Sequence, residues 1–334
     1  MNIYSCVDGS NIDKIIILFN SVLVNANKNK VDSLKFYLLT DNIPKELPYI
    51  PENLKSKLDI RELKLDKVWK EKLDEFNTHF YQASSWCRNN MNFARFLFFI
   101  HFPEVNRAIY LDWDMIVLAN IFELEDVYNK RDKMVVSKCG INTIFSNIFT
   151  SEFKYNTDYN LLYVNPLMKK KIHRSNKIME FLDLSTHQIH TIEGFNAGFY
   201  IVSNTHFEEN KMLELLRKLI KIQKKFRCFN FGTQVVMNLM EINKRTFIDK
   251  KWNHLPVDNP KGFKIIHWNG NVKPWSSNLP NNRLWYKYCF MVYPELKSKY
   301  ANNKPKKSKK KSKVNIKRIN KNDERLLKYI MSKK

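Results

Sequence analysis

The sequence predicts an α/β protein: a mostly parallel sheet flanked by helices, with a basic tail at its C-terminal end. Strand-like and helix-like segments alternate from Asn2 to Ser137, as expected of parallel strands joined by covering helices. The apolar run Arg107-Ala108-Ile109-Tyr110-Leu111 ends on two carboxylates, Asp112 and Asp114, and the carboxyl ends of strands are where such sheets bind ligands. The charge is also lopsided. Half of the net +24 lies between Lys304 and Lys334, where 14 basic residues face two acidic ones.

Taken in order, Asn2 to Val7 reads as a strand, and Ile12, Ile15, Ile16, Phe19, Val22, Leu23 and Ala26 recur at helical spacing. Leu34 to Leu39 is a second strand, closed by Thr40-Asp41-Asn42 and Pro44. Asp59 to Leu65 reads as a third, followed by a helix over Asp66 to Phe76. A helix over Asn92 to His101, stopped before Pro103, feeds a strand over Val105 to Leu111, and Met115 to Leu118 resumes its apolar character. Met134 to Ser137 is a short strand. The stretch from Gly140 to Glu193, rich in Asn, Lys, Phe and Tyr without a sustained period, is expected to form loops and helices covering the site. Beyond it come a strand over Ala197 to Val202, helices over Glu208 to Lys225 and Gln234 to Ile242, and a strand over Phe263 to Trp268.

A chain of 334 residues can bury a large core. The expected division is one domain over residues 1–290, a connector over 291–303 and the tail over 304–334. Five scattered cysteines with no Cys-x-x-Cys argue against a disulfide framework or a zinc site and favour a reducing compartment. No secretory leader is read at the N-terminus. The densest apolar stretch, Phe93 to Phe102, holds Arg95 and His101 and is too short to span a bilayer. The expectation is a cytoplasmic protein, free or held peripherally at a membrane.

At the end of this strand the two carboxylates are expected on the same side of an extended backbone, because strand side chains alternate with a period of two. Paired oxygen ligands of this kind suit Mg²⁺ or Mn²⁺. An Asp-x-Asp in a turn or at a helix cap would look the same, so the triplet alone is a weak signal.

Four segments in chain order together resemble glycosyltransferase family 8. Asn2-Ile3-Tyr4-Ser5-Cys6-Val7-Asp8 resembles its first strand. Phe93-Ala94-Arg95 and Tyr110-Leu111-Asp112-Trp113-Asp114 resemble its helix and metal-binding strand. Phe195-Asn196-Ala197-Gly198-Phe199 is similar to its Phe-Asn-Ala/Ser-Gly segment. His267-Trp268-Asn269-Gly270-Asn271-Val272-Lys273-Pro274-Trp275 is similar to its His-x-x-Gly-x-x-Lys-Pro-Trp motif, the most specific of the four.

The resemblance implies a GT-A, Rossmann-like domain and a retaining transferase that moves a sugar from a UDP-sugar to an acceptor hydroxyl on a glycan or protein. It implies Asp112, Asp114 and His267 as ligands of Mn²⁺ or Mg²⁺, and Lys273 and Gly270 on the diphosphate. Asp8, with Cys6 and Val7 beside it, is placed on the uracil, Trp113 within the nucleotide site, and Arg95 at the donor sugar. Asn196 and Gln234 are placed near the sugar and its anomeric carbon. The chemistry is consistent: a sugar leaving a nucleoside diphosphate deposits negative charge on phosphate, which a cation and a lysine can neutralise. The chain departs from the family at Thr233, where an Asp that binds donor-sugar hydroxyls usually precedes the Gln, at Asn11, where an aromatic is common, and at Trp113, where a smaller residue is usual.

Each residue also has an ordinary structural reading. Asp8 could cap the following helix, Arg95 could be a buried ion-pair partner, and Asn196 could hold a turn. His267 could be a satisfied core histidine, and Gln234 could have no role in the site. The Thr233 departure also keeps open a nucleotide-sugar-binding protein without catalysis. The tail combines a Lys-rich low-complexity half with Ile316, Ile319, Leu326, Leu327, Ile330 and Met331 at loosely helical spacing. A basic amphipathic segment suits an anionic membrane surface first. A solubilising or localising tail comes second, and nucleic acid third, because the body carries no nucleic-acid-binding motif.

Overall fold

A computed structural model describes residues 1–79, 90–130, 133–138, 180, 193–226, 232–240, 245–256, 262–270, 273–275 and 282–298. Most of the stretch from Gly140 to Glu193, and all of 304–334, lie outside the described residues. Met1–Pro294 forms one compact unit and Glu295–Lys334 a second.

Among the described residues the main sheet has seven strands, ordered β3-β2-β1-β4-β7-β6-β8. They are β1 Asn2–Val7, β2 Lys35–Thr40, β3 Leu58–Glu62, β4 Arg107–Leu111, β6 Met134–Ser137, β7 Phe199–Ser203 and β8 Arg245–Ile248. The β1–β2, β2–β3, β1–β4 and β6–β8 pairs are parallel, and only β7 runs against its neighbours β4 and β6. Every residue of β4 and β7 is buried, as expected of strands covered on both faces. No described helix is long and apolar enough to cross a membrane.

The register places three tyrosines side by side. Tyr4 pairs with Tyr110 across β1 and β4, and Tyr110 with Tyr200 across β4 and β7. The Tyr110 and Tyr200 rings stack at 4.7 Å, and the Tyr4 and Tyr200 hydroxyls lie 3.0 Å apart. Burial pushes all three phenols above their ordinary range, so they stay neutral donors beneath the strand ends.

Three expectations change. Met115 does not resume the preceding strand: the backbone turns at Trp113-Asp114, and β5 (Met115–Val117) pairs antiparallel with β9 (Ile265–His267) in a separate two-stranded sheet. The carboxylates therefore converge from a turn, not from an extended strand. The helix over Asn92 to His101 is broken into Asn90–Ala94, a 3₁₀ turn over Arg95–Leu97, and Phe98–His101. Phe93 to Phe98 are buried without exception, so packing on every side overrides a one-faced α-helix. The helix expected from Gln234 starts at Gly232, which puts Thr233 and Gln234 in its first turn. The helix Asn282–Val292 and strand β8 are additional elements.

The helix Ile12–Asn25 holds the small sheet through side chains. Ser21 Oγ accepts from the Val117 amide at 3.0 Å, and Asn25 Nδ2 donates to the Val117 carbonyl at 3.0 Å. Ser21→Ala leaves a buried amide without its acceptor, an expected loss of about 1–3 kcal/mol. A lowered urea unfolding midpoint at unchanged m-value checks it; an unchanged midpoint would show that the small sheet does not need this tether.

Candidate functional site

The carboxyl ends of β1 and β4 and the amino end of β7 open onto a cavity of about 500 Å³. Its wall includes Cys6, Val7 and Asp8 from the end of β1, and Arg95 from the 3₁₀ turn. It also includes Asp112, Trp113 and Asp114, then Asn196, Gln234, Gly270 and Lys273. His267 stands behind the acidic pair and is 1% exposed.

Backbone pairing brings His267 there. It pairs with Met115 across the β5–β9 ribbon, and the Trp268 amide donates to the Asp114 carbonyl at 3.0 Å. The ring Nε2 then lies 3.2 Å from Asp114 Oδ1 and 3.7 Å from Asp112 Oδ2. The three residues each present one donor atom within 4.8 Å of the others.

The other oxygens of the acidic pair are occupied. Asp112 Oδ1 accepts from the Tyr110 hydroxyl at 2.6 Å and from Arg95 Nη2 at 3.2 Å, which leaves Oδ2 turned towards the ring. Asp114 Oδ2 accepts from the Lys273 ammonium. Asp114 Oδ1 is buried and faces His267 Nε2, which can hydrogen-bond to it only when that nitrogen carries a proton. A buried carboxylate oxygen in that state is costly unless a cation or a proton faces it. The set of two carboxylate oxygens and one imidazole nitrogen fits Mn²⁺ or Mg²⁺. A proton on His267 Nε2 is the rival occupant, so cation and proton compete for the space. Burial works against the Asp114 carboxylate, but His267 in its protonated form and Lys273 beside it outweigh that and hold its pKa down at about 2. It is charged at neutral pH.

Gly198 makes the cluster sterically feasible. A Cβ there would lie 2.4 Å from His267 Cε1 and 2.9 Å from Asp112 Oδ2, so only a glycine lets the ring and carboxylate approach this backbone. Its carbonyl accepts from the Asp112 amide at 2.9 Å, tying the cradle to the ligand. Gly270, at φ 108, occupies the left-handed region that other residues rarely adopt.

Arg95 is both a cavity residue and a buried ion-pair partner. Its guanidinium reaches Asp112, the Ala197 carbonyl at 2.7 Å and Asn92, and lies 4.3 Å over the Tyr110 ring. Asn196 holds a local turn through Gly198 N–H at 2.9 Å while its Nδ2 faces Gln234 Oε1 at 3.4 Å. Asp8 does not cap the following 3₁₀ turn with its side chain. Burial raises the Cys6 thiol far above its ordinary range, which leaves it a packing residue in the wall. Trp113 packs against Trp275 at 4.9 Å, with the Lys273 ammonium 5.8 Å from its ring.

Three supporting residues are not among the site residues that the sequence points to. Tyr110 is two positions before Asp112, a spacing that shares one strand face. Asn238 lies four residues after Gln234 on one helix face. It accepts from Phe195 N–H at 3.0 Å and donates to the Phe195 carbonyl at 2.9 Å, fixing the segment that carries Asn196. Asn253, whose Oδ1 lies 2.9 Å from His267 Nδ1, had no local signal.

Comparison with known proteins agrees with this geometry. The model for "Glycosyl transferase family 8" matches residues 2–279. Glycosyltransferase 8 domain-containing protein 1 of Homo sapiens is 24% identical over 293 residues, covering 81% of this chain and 69% of that protein. Probable galacturonosyltransferase-like 9 of Arabidopsis thaliana is 25% identical over 217 residues, covering 60% of this chain and 50% of that protein. The chain spans about half the length of the plant relatives it matches. Among solved structures, the galactosyltransferase LgtC in complex with donor and acceptor sugar analogs superposes at a TM-score of 0.56 and 12% identity, covering 90% of this chain and 100% of that one. The bifunctional glycosyltransferase WbbM superposes at 0.55 and 18% identity, covering 90% of this chain and 51% of that one. These likenesses establish a GT-A type fold.

Gly198→Ala is expected to abolish Mn²⁺ binding, because the added methyl group occupies space between ring and carboxylate. Titration calorimetry on a variant with wild-type circular dichroism checks this. Wild-type Mn²⁺ affinity in that variant would contradict the cluster geometry.

Proposed function

The chain belongs to glycosyl transferase family 8, and on that premise we propose that it transfers a sugar from a UDP-sugar to an acceptor hydroxyl, with retention at the anomeric carbon. The donor sugar is read as a hexose or N-acetylhexosamine, and the acceptor as a glycan or protein. The observation that carries the reading is the convergence of Asp114 Oδ1, Asp112 Oδ2 and His267 Nε2 within 4.8 Å of one another beside a cavity of about 500 Å³. The donor and acceptor analogs named for LgtC support the same chemistry by likeness of fold.

Asp112, Asp114 and His267 would hold a divalent cation, which when bound neutralises charge developing on the departing diphosphate. The remaining roles belong to the chain's own residues. Lys273 adds a positive charge on the same side. Gly270 lets the backbone close on phosphate oxygens. Asp8, at the end of β1 with Cys6 and Val7 behind it, offers a carboxylate to the nucleobase, and Trp113 walls the nucleotide. Arg95 fixes Asp112 and, with Asn196 and Gln234, forms the polar end of the cavity where the sugar would sit.

The division read from the sequence, a domain over residues 1–290, a connector over 291–303 and a basic amphipathic tail over 304–334, is carried forward with one change: the last helix of the domain runs on to Val292. The tail is read as contacting an anionic membrane from the cytoplasmic side. The alternative of nucleic-acid binding through the tail predicts salt-sensitive RNA or DNA binding that truncation at residue 303 removes.

The deciding experiment is UDP release from a panel of UDP-glucose, UDP-galactose, UDP-galacturonate and UDP-N-acetylglucosamine, with Mn²⁺ and with EDTA. Mn²⁺-dependent release from at least one donor is expected. Bound UDP with no turnover on any donor would instead favour a binding protein, the reading that Thr233 invites. Asp114→Ala is expected to remove metal-dependent UDP binding in a folded protein. Lys273→Ala should raise the donor KM by about tenfold, one lost charge-assisted hydrogen bond of roughly 1.5 kcal/mol. An unchanged KM and rate would remove Lys273 from the scheme.

A further inference from the structure

The Asn253 side chain bridges the two halves of the cavity. Its Oδ1 faces His267 Nδ1 at 2.9 Å, and its Nδ2 lies 3.2 Å from both the backbone carbonyl and Oδ1 of Asn196. Backbone pairing keeps it there: the neighbouring His254 bridges to Ile266, its amide donates to the Ile265 carbonyl at 3.2 Å, and its carbonyl accepts from the His267 amide at 2.8 Å.

The proton positions along this chain follow from one unambiguous donor. The Gly198 amide can only donate, so the Asn196 atom 2.9 Å away is its oxygen. That oxygen and the Asn196 carbonyl both require a donor from Asn253, so the NH₂ end of Asn253 faces them. The reverse orientation would set an oxygen against two acceptors. The Asn253 oxygen therefore faces His267 and requires Nδ1 to carry hydrogen. In the neutral ring this leaves the Nε2 lone pair turned towards Asp112 and Asp114, the form a cation needs.

We infer that Asn253 is a positioning residue that fixes the His267 tautomer for metal binding and, through its NH₂ group, couples the metal cluster to Asn196 on the sugar side. The inference rests on the metal site proposed above and deepens it. Asn253 acts through His267 and Asn196, and touches neither cation nor donor in this scheme.

Two variants separate the two functions. Asn253→Ala removes both contacts, whereas Asn253→Asp retains an acceptor for His267 Nδ1 and loses the donor to Asn196. Mn²⁺ affinity is measured by titration calorimetry on the full chain, together with UDP-sugar turnover and the metal-free melting temperature. The His267 tautomer is read from two-bond ¹H–¹⁵N correlation spectra of the metal-free protein, recorded as a function of pH. The expected result is that Asn253→Ala weakens Mn²⁺ about tenfold or more, the usual effect of losing such a partner, and shifts His267 towards the Nε2–H form. Asn253→Asp should keep wild-type tautomer and Mn²⁺ affinity within about threefold, yet lose turnover at saturating Mn²⁺. Wild-type affinity and tautomer in Asn253→Ala, with the wild-type protein binding Mn²⁺, would overturn this inference alone. A wild-type protein that binds no Mn²⁺ would overturn the metal site and this inference with it. Equal losses in both variants would also overturn it, because a common structural defect would then explain them.

Discussion

The site depends on the antiparallel ribbon formed by β5 and β9. His267 is 153 positions from Asp114 in the chain, and nothing local brings them together. The pairing of Met115 with His267, and the bond from the Trp268 amide to the Asp114 carbonyl, set the imidazole beside the carboxylate to within one residue. A slip of one residue along the ribbon would turn His267 to the opposite face. The register is in turn held by Ser21 and Asn25 of the covering helix, which take both polar groups of Val117. Side chains from four distant parts of the chain thus converge because one short ribbon is pinned on both edges.

Electrostatics explains why such a cluster is built rather than tolerated. Two buried or half-buried carboxylates and an imidazole nitrogen point lone pairs at a common centre. With Nε2 unprotonated these lone pairs repel, and a proton or a cation at the centre relieves the repulsion. The surrounding residues stabilise the arrangement without filling it. Tyr110 and Arg95 saturate the far oxygen of Asp112, Lys273 takes the far oxygen of Asp114, and Gly198 supplies room instead of a contact. What remains is an acceptor-lined space suited to a small divalent cation.

The fold was legible where burial and periodicity coincided. β1, the helix behind it, β2 and the strand ending at Leu111 are long apolar stretches bounded by polar or turn residues, and the structure places them within one or two residues of the sequence reading. The helix Asn282–Val292 carries Trp285, Tyr288, Cys289 and Val292 at helical spacing, so its signal was present but unread. β8 gives little signal because its four residues are only half-buried and mix Arg and Thr with Phe and Ile. The turn at Trp113-Asp114 was illegible for a different reason: apolar residues on both sides imitate one continuous strand, and only pairing with a segment far down the chain shows that there are two. The same limit applies to the site. Its motif residues could be named from their order in the chain, and they do share one cavity with His267 behind them. Asn253 could not, because its importance is its reach to His267 and Asn196, and no spacing encodes that.

The central claim is that a cation belongs at the meeting point of these three side chains. It is tested most directly by an anomalous difference map from crystals grown with Mn²⁺ and UDP. The account predicts one strong manganese peak in contact with Asp112 Oδ2, Asp114 Oδ1 and His267 Nε2, with diphosphate oxygens completing its coordination. Bound UDP with no manganese peak there, or with His267 turned away from the carboxylates, would contradict it.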